Sequence, residues 1–250
     1  MLLQDQAICI RHVKYSESSQ VITLFGRAYG RLRAIAKGSR RPRGKFGGGV
    51  DLLTAGEIMF LPPGGEGGLA TLTEFELTEA FAGLRQNLLA LNCAQYAADL
   101  VNEFTEDLDP HPQLYDGFAA LLRNLQGSGT PAAHLVLFEM ILLREAGLVP
   151  DFFQCCLCSR PVPDKGMLYF SSASGGIVCR DCEPAVIEKR QVPAAVAYLL
   201  RRPELALTAE PPAVLAAHEL LSYHQRELLG KETTVMNFVN KLLRGRPNGR

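Results

Sequence analysis

Four cysteines stand in two closely spaced pairs, Cys155 with Cys158 and Cys179 with Cys182, and 20 residues separate the pairs. Two residues between thiolates let one tight turn aim both sulfurs at a single ion, and a second such turn completes a tetrahedron. The stretch between the pairs fits that reading. Met167 to Phe170 and Ile177 to Val178 are short apolar runs joined by Ser171-Ser172-Ala173-Ser174-Gly175-Gly176, which predicts a hairpin returning the chain to the metal. Cys156 is an extra adjacent thiol, but the matched spacing favours Cys155, Cys158, Cys179 and Cys182. A dithiol redox pair or buried inert cysteines are the alternatives, and two matched pairs flanking one hairpin favour metal over both. A site closed by four thiolates lacks the open position that metal catalysis needs, so the expected Zn2+ is structural.

The second chemical signal is charge. From Ser18 to Val50 there is no acidic residue, while Arg27, Arg31, Arg33, Lys37, Arg40, Arg41, Arg43 and Lys45 accumulate. On an extended strand the odd positions Arg31, Arg33 and Lys37 share one face, and Leu32, Ala34 and Ala36 turn toward a core. The segment from Gly38 to Phe46 then reads as a basic loop whose glycines allow a phosphate close to the backbone. A solvated surface run is the plain alternative; eight cations without a counter-charge favour a phosphate-tracking groove. Phe46 or Tyr29 could supply a stacking face. Nothing in the segment reads base edges in an obvious way, so weak sequence preference is expected.

Other matches fail. Five residues rather than four separate Gly38 from Gly44, and Phe46 replaces the magnesium-binding hydroxyl, which argues against a nucleotide phosphate loop. His12, His111 and His134 lack the neighbours of a catalytic triad, and His224 reads as a satisfied core histidine. Glu103, Glu106, Asp107 and Asp109 read as solvated charge, with a metal-binding nuclease cluster as the alternative. No catalytic residue is assigned, and the chain is read as a non-enzyme.

The formal net charge of zero hides segregation. Residues 1–50 carry ten Lys/Arg and two Asp/Glu, whereas residues 51–120 carry twelve Asp/Glu and one Lys/Arg, Arg85. A basic end joined to an acidic middle is the pattern of a face that meets a polyanion. The 47% apolar content excludes wholesale disorder, and no apolar run approaches a membrane span. Seven cysteines, four of them metal-like, and the absence of an export-signal layout place the expected home in a reducing cytoplasm.

The elements that must position these groups fall into two regions. Residues 7–13, 20–25, 31–37, 56–61 and 70–77 read as five short strands joined by glycine-rich turns, which suits a small closed barrel; an SH3-like barrel competes. From Phe81 the period becomes helical. Phe81, Leu84, Leu88, Leu91, Ala94, Ala98 and Val101 predict one long helix. A second runs near Gln113–Leu125, and Thr130-Pro131 opens a third that ends at Gly147. Two more carry the stripes Val214, Ala217, Leu221, His224, Leu228 and Val235, Phe238, Val239, Leu242. The expected fold is α+β: a barrel over 1–80, then a helical domain over 81–250 with a zinc knuckle inserted at 152–185.

The segments Tyr15 to Phe25 and Tyr29-Gly30-Arg31-Leu32-Arg33 to Lys37-Gly38-Ser39-Arg40-Arg41-Pro42 resemble the amino-terminal barrel of the bacterial RecO recombination mediator family. Leu69 to Glu74 resembles its last barrel strand, and Phe138 to Asp151 its helix leading into the zinc knuckle, so the similarity spans almost the whole chain. The resemblance implies a five-stranded OB-fold barrel followed by a zinc-holding helical domain, in a bacterial, nucleoid-associated protein. It implies binding of single- and double-stranded DNA, annealing of complementary strands, and work with RecR in loading RecA onto DNA coated with single-strand-binding protein. It also implies a helical-domain site for that protein's acidic tail, for which Arg201-Arg202 and Lys241 to Arg244 are candidates. A nuclease or glycosylase with a structural zinc, and an adaptor that touches no DNA, are the rival readings.

Overall fold

A computed structural model describes residues 1–39, 46, 49–65, 67–127 and 129–245. They fall into two compact units, Met1–Gly127 and Ser128–Arg250. The change from strand to helix comes near residue 80, yet compactness groups the first two helices with the strands.

In the first unit, strands β1 (Leu3–Lys14), β2 (Gln20–Gly26), β3 (Gly30–Ala36), β4 (Ala55–Leu61) and β5 (Ala70–Glu79) close in the order β1-β2-β3-β5-β4. Only β3 and β5 pair in parallel, over Ala34 to Ala36 and Ala70 to Leu72, and this short pairing closes the barrel. The period-2 alternation explains the core. Ala7, Cys9, Ile22, Leu24, Leu32, Ala34, Ile58, Phe60 and Leu72 fill the interior. Arg31 and Arg33 alternate outward from β3.

The long helix expected from Phe81 is broken. Phe81 takes a left-handed φ of 43°, a 3-10 turn runs over Ala82–Gln86, and α1 starts only at Leu88 (Leu88–Phe104). The cause is Asn87, whose side chain accepts from the Leu89 and Ala90 amides at 3.0 and 3.1 Å and so caps a new helix. Leu88 consequently faces solvent instead of the buried stripe. Helix α2 (Pro112–Asn124) follows, with proline in its first turn.

The second unit packs α3 (Pro131–Glu145), α4 (Ala194–Arg201), α5 (Pro211–Leu229) and α6 (Thr234–Leu243) with a three-stranded sheet. That sheet orders β7 (Gly176–Val178), β6 (Met167–Ser171) and β8 (Arg190–Pro193) as β7-β6-β8. Val136, Met140, Phe152, Phe170, Ile177, Ala197, Leu200 and Leu221 lie in one core. The predicted hairpin is β6–β7; β8 and α4 were not anticipated. Thr130 stands at the start of α3, but its side chain makes no capping bond. Leu228, expected on the buried stripe of α5, is exposed.

Two histidines of α5 are buried and satisfied. His224 bonds Ser172 Oγ at 2.7 Å and the Leu148 carbonyl at 3.1 Å, as the core reading expected. His218 bonds Glu139 Oε2 at 3.1 Å and Asn240 Oδ1 at 3.0 Å, tying α3, α5 and α6 together. Among the described residues, no helix is long and apolar enough to cross a membrane.

Candidate nucleic-acid interface and metal centre

The basic strand is positioned by its own pleat and by a loop that follows α1. Arg31 Nε donates to Asp107 Oδ1 and Arg33 Nε to Asp107 Oδ2, both at 2.7 Å, so one carboxylate bridges two guanidinium groups. Arg31 also donates to the Asn102 carbonyl. The loop is fixed along β3 by the Leu108 amide, which donates to the Arg31 carbonyl at 2.8 Å. Glycine is required beneath it: Gly30 has φ 67°, and a Cβ there would lie 1.9 Å from the Asp109 carbonyl oxygen.

Burial works to raise the Asp107 pKa, but hydrogen bonds and positive charge from Arg31 and Arg33 outweigh it and hold the group below the ordinary carboxylate range. The acidic loop expected to be solvated charge is therefore partly spent on the basic strand. Asp107 is the partner of two arginines, and Asp109 contacts His111 Nε2 at 3.2 Å. Two cations against one anion still leave this strand positive. Arg27 is held separately by Asp116, in a forked pair with both distances 2.9 Å.

Lys37 is exposed and has no carboxylate partner among the described residues. Arg40, Arg41, Arg43 and Lys45 lie outside the described residues. The two aromatics expected to stack are not available as open faces. Phe46 is buried in the barrel core, and Tyr29 packs edge-on against Phe60, with centroids 5.5 Å apart. Both are apolar residues in a glycine-rich context, and the core claimed them. A shallow cleft of about 200 Å³ remains between Arg31, Arg33, Asp107 and the turn containing Pro63 and Gly68.

The cysteine pairs converge as their spacing predicts. One ligand atom from each of Cys155, Cys158, Cys179 and Cys182 lies within 4.8 Å of the other three. The Cys158 and Cys179 sulfurs are 3.7 Å apart. A tetrahedron with metal–sulfur bonds of about 2.3 Å has an edge of about 3.8 Å, so the cluster has the dimensions of a four-thiolate site. Cys156 is not in the group; its backbone amide donates to the Ile177 carbonyl and locks the turn to β7.

Local bonds set the two turns. Asp151 Oδ1 accepts from the amides of Phe153 and Gln154 at 2.7 and 3.1 Å, and the Ser159 amide closes the first turn onto the Cys155 carbonyl at 2.8 Å. In the second turn the Cys182 amide reaches the Cys179 carbonyl at 3.1 Å. Gly176 brings β7 against Asp151 so closely that a Cβ would sit 2.3 Å from the Asp151 carbonyl oxygen.

The electrostatics fit an ion. Burial pushes the Cys155 thiol up, but amides of Cys179, Leu157 and Cys158 outweigh it and bring it down to about 6. Cys182 is pushed up to about 12, first by its hydrogen bond to Cys179 and then by Cys158 and burial. Four neighbouring sulfurs cannot all be thiolates without a cation among them, and a metal ion supplies that charge.

Comparison with known proteins gives two family matches. The family described as Recombination protein O N terminal matches residues 1–81, and Recombination protein O C terminal matches residues 85–234. A DNA repair protein RecO from Anaeromyxobacter dehalogenans is 34% identical over 244 residues, 94% of each chain. One from Halalkalibacterium halodurans is 31% identical over 202 residues, covering 80% of this chain and 77% of its own. One from Listeria monocytogenes is 29% identical over 196 residues, 78% and 74% of the two chains.

Proposed function

Because this chain belongs to the RecO family of DNA repair proteins, with an OB-fold barrel at its amino terminus, we propose that it is a recombination mediator acting on DNA strands. In this reading the barrel binds single- and double-stranded DNA through Arg31, Arg33, Lys37, Arg40, Arg41, Arg43 and Lys45. The observation that carries it is the acid-free basic segment on an OB-fold barrel. Phosphate neutralisation releases counterions and brings two anionic strands close enough to pair, so no bond needs to be made or broken. With RecR, the protein then helps load RecA onto DNA coated with single-strand-binding protein, in the cytoplasm of a bacterium.

The acidic tail of single-strand-binding protein is assigned to the helical unit. Arg201 is occupied by the Phe152 carbonyl at 2.8 Å and by Asp164, and Arg202 stacks on Tyr198. Lys241 and Arg244 line a polar cleft of about 250 Å³ together with Arg190, Arg226, Glu219 and Glu232, and Arg244 is itself paired with Glu219 at 2.5 Å. Four cations against two carboxylates in that cleft support the Lys241 to Arg244 site for an acidic peptide. The four-cysteine cluster is assigned zinc, which would be held by Cys155, Cys158, Cys179 and Cys182 and would tie the knuckle turns together.

The test is annealing of complementary strands coated with single-strand-binding protein, followed by RecA assembly with and without RecR. Annealing by this protein, and RecA assembly that needs both proteins, are expected. A protein that anneals neither bare nor coated strands would refute the mediator reading. DNA cut or stripped of bases would favour the enzymatic rival.

A further inference from the structure

The polar cleft of the second unit has a buried continuation. Ser222 of α5 and Asn240 of α6 line it. Asn240 Nδ2 donates to Ser222 Oγ at 2.9 Å, and Asn240 Oδ1 lies 3.0 Å from His218 Nε2. On its other side His218 Nδ1 is 3.1 Å from Glu139 Oε2 of α3. His218 and Glu139 are both wholly buried. A file of side chains, Ser222, Asn240, His218 and Glu139, therefore runs from the cleft into the junction of α3, α5 and α6.

Proton counting fixes the charge of this file. Asn240 turns its amide hydrogens toward Ser222, so its oxygen takes the Nε2 hydrogen of His218. A neutral ring would then present a bare Nδ1 to the Glu139 carboxylate, acceptor against acceptor. A proton between Nδ1 and Oε2 resolves the clash, and the pair becomes imidazolium against carboxylate. Burial works against that charge, but Glu139 from α3, Asn240 from α6 and Glu219 from α5 favour it, and the balance is upward. Glu219 stands beside His218 in the sequence and pairs with Arg244 of α6 on the cleft side.

Helix α6 depends on this junction. It has 10 residues, too few to hold a helix in water unaided, and Met236 and Val239 are its buried side chains. Asn240 is its polar anchor. Lys241 follows directly and Arg244 stands about one turn further, both on the cleft. Loss of the shared proton would set two acceptors face to face and release the ring that holds Asn240. It would also leave a net negative charge beneath a site for anions, where little water screens it.

We propose that His218 is the positioning residue of this cleft: while it shares a proton with Glu139 it seats α6, and with it Lys241 and Arg244, for an acidic peptide, and loss of that proton dismantles the site. The proposal rests on the acidic-peptide reading of the cleft and adds to it a grip that depends on pH.

The experiment is fluorescence anisotropy of the full chain with a labelled aspartate-rich peptide ending in a free carboxylate, from about pH 6 to 9.5, with the asparagine analogue as neutral control. NMR of the carbon-bound ring hydrogens follows His218 over the same range. Its signals are assigned by their loss in a Glu139→Gln/His218→Gln double variant, which replaces both charges together and is checked by circular dichroism melts. Peptide affinity is expected to hold steady at the acid end and to fall about 5-fold or more as pH rises through the His218 midpoint, the size of an ordinary coupling between sites. The double variant is expected to show no inflection there. An inflection that does not coincide with the ring, or that survives in the double variant, overturns the role of His218 while the cleft stands. A level wild-type profile does the same, even where the double variant fails to fold. Absence of peptide binding by wild type at every pH overturns the cleft assignment itself.

Discussion

Asp107 competes with DNA for two of the arginines assigned to phosphates, and its removal should tighten binding. The carboxylate contacts Arg31 and Arg33 at 2.7 Å each, and its side chain is 34% exposed. A phosphate approaching this strand meets two cations already sharing one anion. Asp107→Asn removes that charge but can keep one hydrogen bond, so the loop should stay in place. One added unit of positive charge corresponds to about 0.9 counterion released, which at about 0.1 M salt is worth roughly 1.2 kcal/mol, or about eightfold in affinity. The log–log salt slope should steepen by about one. The stability cost should stay under about 1 kcal/mol, because the pairs are partly exposed. Anisotropy titrations of duplex DNA at four salt concentrations, beside thermal melts, measure all three quantities. Unchanged or weaker affinity with an unchanged slope would show that Arg31 and Arg33 serve the loop and not the nucleic acid.

The folded-state pKa of Asp107 is depressed, so its contribution to stability is present above the unfolded value near pH 4 and is lost as pH falls through the lower folded value. Urea melts between about pH 5 and 2 should show this loss in the wild type and a smaller one in Asp107→Asn. His218 has the opposite sign. Burial lowers its pKa, but the Glu139 carboxylate more than compensates and the net shift is upward. Its stabilisation is therefore complete below about pH 6.5 and declines as pH rises through the folded value. Glu139→Gln strands a buried histidine and should cost about 3–5 kcal/mol, seen in chemical denaturation; a cost below about 1 kcal/mol would contradict the buried ion pair. Elemental analysis of freshly reduced protein should find near-stoichiometric zinc, and Cys158→Ser or chelation should remove it and melt the knuckle. Full thermal stability of metal-free protein would refute a structural ion.

Much of this fold is written in local patterns. The five strands were legible because β3, for example, alternates Leu32, Ala34 and Ala36 with Arg31, Arg33 and Ile35, and the pleat converts that alternation into inside and outside. The metal cluster was legible because two-residue spacing is a geometric statement about one turn. Long-range pairings were not legible. No local signal joins Asp107 to Arg31 and Arg33 across more than 70 residues, and the link is made by a loop laid against β3. Phe46 looked like a stacking ring because its neighbours are basic and glycine-rich, whereas burial of a phenyl ring decided its place. Strand β8 and helix α4 are too short for a period to declare itself, and both are stabilised by the core they complete.

A salt titration of DNA binding tests most directly whether the basic barrel grips the sugar-phosphate backbone. Five to eight phosphate contacts predict a log–log slope of about −4 to −7 on duplex, and a somewhat shallower one on single strands. Reversing Arg33 and Lys37 to glutamate should flatten it by about two or more. A wild-type slope near zero, or one that the reversed variant leaves intact, would contradict the account.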